Sequence, residues 1–140
     1  MSLGAAVEVS LITIFAPFIE WMQGGDNPDT VTAWSNLAKS HLAAGRPKKA
    51  IRLYRRTLGY CLRELGAKDP STLRARNNLA MAYQAAGRTN EAIPLLERTV
   101  ADCERLLGLD HWDTVKARNN LAMCYRARAN GRTAGGQRSA

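Results

Sequence analysis

Apolar residues along this chain fall at helical rather than strand spacing. After Ser71, the residues Leu73, Leu79, Ala80 and Tyr83 recur at intervals of three, four and seven, and Gly87 follows where a left-handed C-terminal residue is wanted. A second pattern runs from Thr89 to Leu107 through Ala92, Ile93, Leu96, Val100, Cys103 and Leu107 and ends at Gly108. Its acids come early and Arg98 and Arg105 come late, as the helix dipole favours. Two helices, A and B, are thus predicted. Asp29, Ser71 and Asp113 are good N-cap residues and predict the starts of successive A helices. Pro47 suits a first helical turn, whereas Pro94 predicts a lost hydrogen bond or a bend near the start of helix B.

The pattern repeats with a period of 42 residues. Thr30, Thr72 and Thr114 share one phase, Asn36-Leu37-Ala38 recurs as Asn78-Leu79-Ala80 and Asn120-Leu121-Ala122, and Gly45 and Gly66 return as Gly87 and Gly108. A fixed period of this size means a supersecondary unit stacked on copies of itself, each burying an apolar face that one unit cannot bury alone. Alanine at 38, 80 and 122, and again at 50 and 92, lets helix backbones approach closely. The expected fold is all-α: a solenoid of helical hairpins in a right-handed superhelix over residues 26–126, with full repeats at 29–70 and 71–112 and a partial one at 113–126.

The ends depart from the period. Gly131 arrives two residues late and Gly135-Gly136 occupy the place of the next helix B, so residues 127–140 read as a flexible basic tail. Residues 3–22 are apolar, with Val7, Leu11, Ile14, Phe18 and Trp21 on one helical stripe, and Gly24 shares the phase of Gly66 and Gly108. Residues 1–25 therefore read as a divergent packing or capping helix standing where a preceding helix B would stand. A membrane span competes with this reading, but Glu8 interrupts a run shorter than the roughly 20 residues a span needs. With fewer complete units than such folds usually need, the chain reads either as a fragment or as a self-associating one.

Charge sharpens the asymmetry. Residues 1–28 carry Glu8, Glu20 and Asp26 and no base, while residues 114–140 carry Lys116 and five arginines and no acid; the whole chain has a net charge of +8. Such a field favours acidic partners without choosing their class. Cys61, Cys103 and Cys124 lack CxxC spacing and an even partner count, which argues against a zinc site or a disulfide framework and suits a reducing cytoplasm. His41 and His111 have no catalytic partner in the sequence, and no glycine-rich phosphate loop is present. No enzyme activity, metal or cofactor is expected.

The combination Asn78-Leu79-Ala80, Tyr83, Gly87-Arg88, Glu91-Ala92, Leu106-Leu107-Gly108 and Asp110-His111-Trp112-Asp113-Thr114 resembles the tetratricopeptide repeats of the long kind found in kinesin light chains and in many bacterial scaffold and signalling proteins. Where that family usually has proline, this chain has Trp112. The resemblance implies that the A helices line a concave groove for a polypeptide. Carried over, it points to Thr32, Ser35, Asn36 and Lys39 in repeat one, to Arg74, Asn77, Asn78, Met81 and Gln84 in repeat two, and to Lys116, Asn119, Asn120, Met123 and Arg126 in repeat three. Of a carboxylate-clamp pattern, Asn78 and Lys116 match, while Ser35, Lys39 and Asn120 do not.

Such a groove is rich in amides and bases. A carboxamide both donates and accepts, so it can pair with the backbone of an extended peptide, and Lys and Arg then select an acidic one. The same asparagines could instead bond a neighbouring helix and hold the repeats in register. A second basic face lies on helix B of repeat one, where Lys48, Lys49, Arg52, Arg55, Arg56 and Arg63 meet only Glu64, and it makes nucleic acid or an anionic membrane surface the alternative partner. By analogy with bacterial signalling proteins, the chain also reads as the sensing fragment of a larger ATPase.

Overall fold

The computed structural model describes the backbone of residues 28–139 and the side chains of residues 28–131; the expected N-terminal helix over 1–25 lies outside them. The described residues form five helices: α1 (Pro28–Ala43), α2 (Pro47–Glu64), α3 (Pro70–Ala85), α4 (Thr89–Leu107) and α5 (Trp112–Ser139). Each helix packs on the next in sequence, and α3 also meets α5 directly. This is the expected all-α solenoid of helical hairpins, with α1–α2 and α3–α4 as full units and α5 as the first helix of a third.

Glycine sets the hairpin corners. Gly45 and Gly87 have φ of +74° and +77°, and the next amide of each donates back into the helix, Arg46 to the His41 carbonyl at 2.7 Å and Arg88 to the Tyr83 carbonyl at 2.8 Å. These bonds satisfy carbonyls that would otherwise be orphaned at the helix end. A Cβ added at Gly87 would meet nothing within 4 Å, so Gly87→Ala is expected to cost about 1 kcal/mol through backbone conformation alone. A chemical-denaturation curve with unchanged slope and a lowered midpoint checks this.

The helix starts lie two residues earlier than the cap pattern predicts. Asp69 caps α3 by accepting from the Ser71 amide at 2.8 Å, with Pro70 as the first helical residue. His111, one period later, accepts from the Asp113 amide at 3.1 Å through Nδ1. Ser71 and Asp113 are therefore donors inside the first turn, and Asp29 lies inside α1. In α1 and α3 the first helical residue is proline, whose fixed φ and missing N–H suit that position; in α5 it is Trp112.

Four of the five alanine positions fit their expected role, and the fifth, Ala122, is exposed on α5. Ala38, Ala50, Ala80 and Ala92 are completely buried, and around them Ile51, Tyr54, Leu79, Tyr83, Ile93, Leu96 and Cys124 form one continuous core. Helix α4 spans the expected Thr89–Leu107 and runs through Pro94. Pro94 and Asn90 both face solvent, so water can satisfy the carbonyl that proline deprives of its donor.

At the C-terminal end, the backbone over 127–139, where a flexible tail is expected, is helical. Helix α5 does not stop near residue 126 but continues past Gly131 to Ser139. Ala127, Arg128 and Ala129 are strong helix formers and no proline follows. Each glycine then weakens the helix by about 1 kcal/mol without supplying a competing structure.

Candidate peptide-binding groove

Two stripes with identical spacing face each other across the first pair of A helices. Thr32, Ser35, Asn36 and Lys39 on α1, and Ser71, Arg74, Ala75 and Asn78 on α3, line a cavity of about 320 Å³ whose remaining wall includes Val31, Thr57 and Cys61. Both stripes follow the i, i+3, i+4, i+7 rule for one helix face. Extending the amide-and-base pattern of α1 down α3 by that rule would have picked out Ser71 and Ala75, which the sequence did not mark as site residues.

The asparagines divide into two groups. Between α3 and α5, the Asn120 carboxamide donates to Asn77 Oδ1 at 2.9 Å, and Asn77 is only 5% exposed. That pair joins repeat two to repeat three. One period earlier the place of Asn77 is taken by Ser35 and that of Asn120 by Asn78. Serine is too short to reproduce the bond, and among the described residues no hydrogen bond reaches the Asn78 carboxamide. Asn78 therefore has donors and an acceptor to spare inside the cavity. Asn119 is exposed on α5.

Two cations, Lys39 and Arg74, line the opening, and Lys116 stands on α5 outside it. Lys39 and Lys116 are exposed, and Arg74 is 58% exposed with Nε 3.5 Å from the Asp113 carboxylate. Asp113 thus holds the Arg74 guanidinium at the rim without burying it, a contact that sequence spacing alone did not mark. Arg126 is exposed farther along α5. Met81 is half-buried against the core, Met123 is 45% exposed, and Gln84 is half-buried with an Oε1 that meets no partner among the described residues.

The residues considered for other chemistry have structural surroundings. His41 is buried, and burial followed by the charges of Lys49 and Arg46 lowers its pKa, keeping it neutral. Cys61, Cys103 and Cys124 are buried free thiols whose pKa is raised chiefly by burial. On the basic face of α2, Arg56 lies 4.4 Å from the Trp34 ring centre. Arg55 donates to the Tyr83 hydroxyl at 2.9 Å. Of that face's cations, Arg56 therefore serves packing within the first hairpin and Arg55 packing between the first hairpin and the second. Among the described residues no helix is long and apolar enough to cross a membrane.

Comparison with known proteins agrees with this architecture. Residues 29–102 and 71–134 match the sequence profile of the tetratricopeptide repeat. No curated protein matches the sequence. Among solved structures, the kinesin light chain nearly identical TPR-like repeats of Podosopora anserina are similar at 28% identity and a TM-score of 0.69, over 75% of this chain and 50% of that one. A singly substituted form of the same repeats is similar at 25% identity and a TM-score of 0.72, over 94% of this chain and 64% of that one. BtubC (BKLC) from P. vanneervenii shares the fold at 23% identity and a TM-score of 0.64, over 74% of this chain and 41% of that one. The chain therefore spans between two fifths and two thirds of the length of these structures.

Proposed function

We propose, for a chain that belongs to the tetratricopeptide repeat family, that it is a non-catalytic scaffold holding an extended acidic segment of a partner protein in its concave groove. Repeats of this family are protein-interaction scaffolds in general. The observation that carries the finer reading is the cavity between α1 and α3, where the unengaged Asn78 carboxamide stands among Lys39, Arg74 and the polar stripe of α1. Asn78 pairs with the peptide backbone, and Lys39 and Arg74 select acidic side chains. Lys116 extends the cationic rim toward α5. A reducing compartment, the cytoplasm, suits the three free thiols.

Binding of a set of acidic and neutral peptides, measured by calorimetry at two salt concentrations, tests this. Asn78→Ala is expected to weaken all bound peptides alike by about 1–2 kcal/mol, the loss of a desolvated hydrogen bond. Reversing Lys39 and Arg74 to Glu is expected to abolish the preference for acidic peptides and flatten the salt response. Equal loss of acidic and neutral ligands in the charge-reversed protein, or full binding after Asn78→Ala, would remove this groove from consideration.

A further inference from the structure

One exposed stretch of α5 is the period-shifted copy of positions that elsewhere are buried. On α3, Leu73, Arg76, Ala80 and Tyr83 are buried, and Arg76 meets Asp102 on α4. One period later, Val115, Arg118, Ala122 and Tyr125 are all exposed, Val115 at 40% and Tyr125 at 38%. Among the described residues, no helix lies against that face. What fits it is a helix with the inward pattern of α4.

The chain itself contains a sequence in that phase. The buried residues of α4 are Ala92, Ile93, Leu96, Thr99 and Cys103, and two periods earlier stand Glu8, Val9, Ile12, Phe15 and Ile19. Four of these five are apolar. Gly24 closes the pattern in the phase of Gly66 and Gly108. The charges are complementary as well: residues 1–28 carry Glu8, Glu20 and Asp26 and no base, while residues 114–140 carry Lys116 and five arginines and no acid. Glu8 is the single polar residue among the five, and it would arrive against a helix whose exposed face carries Arg118, a cation 3.8 Å from Glu104 of α4 and still 54% exposed.

We infer that residues 3–22 of a second copy of this chain dock on the exposed face of α5 and complete its third repeat. The contact is heterologous, pairing the N-terminal segment of one copy with the C-terminal helix of the next, so it propagates head to tail. Apolar burial supplies the attraction, and the opposite charges of the two ends set its direction.

Sedimentation velocity on the full chain and on two variants tests the pairing. The unaltered chain is expected to gain mass as concentration rises, and less steeply at high salt. Tyr125→Glu blocks the α5 face and Ile12→Glu blocks the N-terminal segment, and each variant alone is expected to remain monomeric with unchanged helical circular dichroism. Mixed in equal amounts, they retain one intact face of each kind and are expected to form a one-to-one dimer of twice the monomer mass and nothing larger. Val115→Glu serves in place of Tyr125→Glu if the latter alters the helical signal. An unaltered chain that stays monomeric throughout overturns the inference, and means that the face stays open or is covered from within the same copy. A mixture that stays monomeric while the unaltered chain associates overturns it in favour of α5 pairing with itself.

Discussion

Asp102→Ala is expected to destabilise the protein by about 3 kcal/mol, which lowers its melting temperature by roughly 10 °C. The Arg76 side chain is only 6% exposed, and its NH1 sits 2.6 Å from Asp102 Oδ2, while NH2 donates to the Ala67 carbonyl at 3.2 Å. Removing the carboxylate leaves a guanidinium buried with one neutral acceptor. That loss is far larger than for a solvated ion pair such as Arg88 with Glu91. Replacing both partners, Arg76→Met with Asp102→Leu, is expected to restore stability to within about 1 kcal/mol of the unaltered protein, because no charge is then stranded.

The same pair fixes an acid response. Hydrogen bonding from Arg76, with help from Arg105, holds the Asp102 carboxyl below its ordinary pKa. A depressed folded-state pKa gives stability that is fully present above the unfolded value of about 3.9 and is lost as pH falls from there through the folded value. The gap in melting temperature between the unaltered protein and Asp102→Ala is therefore expected to be constant near neutrality and to narrow below about pH 4. A gap that widens in acid would contradict this assignment.

Leu73→Ala and Val115→Ala form the second comparison, since the two positions are one period apart. Leu73 is fully buried and Val115 is 40% exposed. Deleting the Leu73 side chain opens a cavity between α3 and its neighbours and is expected to cost about 3 kcal/mol. Val115→Ala, measured in dilute solution, is expected to stay within about 0.5 kcal/mol of the unaltered protein. Denaturant midpoints at low protein concentration decide between this and equivalent repeats, for which both losses would be large.

Much of this architecture is legible from the period alone. Glycine phase gives the hairpin corners because only a residue without Cβ adopts their positive φ cheaply, and the alanine columns give the sites of closest helix approach. The same logic locates α4 to the residue. The cap positions escape it, since Asp69 and His111 bond locally through different atoms and share no residue type. So does the division among the asparagines. Asn77 and Asn78 are adjacent in sequence and alike in chemistry, and whether each is engaged depends on what stands on the helix across the gap, Asn120 for one and Ser35 for the other.

Hairpin interiors escape it for a similar reason. The position held by Arg76 in repeat two, where it meets Asp102, is held in repeat one by Trp34, which meets Arg56. A periodic frame tolerates either solution, so the period predicts that the position is filled without predicting how. The extent of α5 was illegible because the glycines that suggest a break at 131 and 135–136 weaken a helix without ending it.

The unequal fastening of successive A helices gives the solenoid one stiff joint and one compliant joint. Between α3 and α5 a carboxamide bridge spans direct helix contact, so those two helices turn together. Between α1 and α3 there is a cavity in place of the bridge, and the first hairpin is fastened to the second through α2 and α3 instead, where Arg55 donates to the Tyr83 hydroxyl. Bending of the superhelix is therefore expected to fall at the α1–α3 gap, and a segment lodged there would act as a wedge against it.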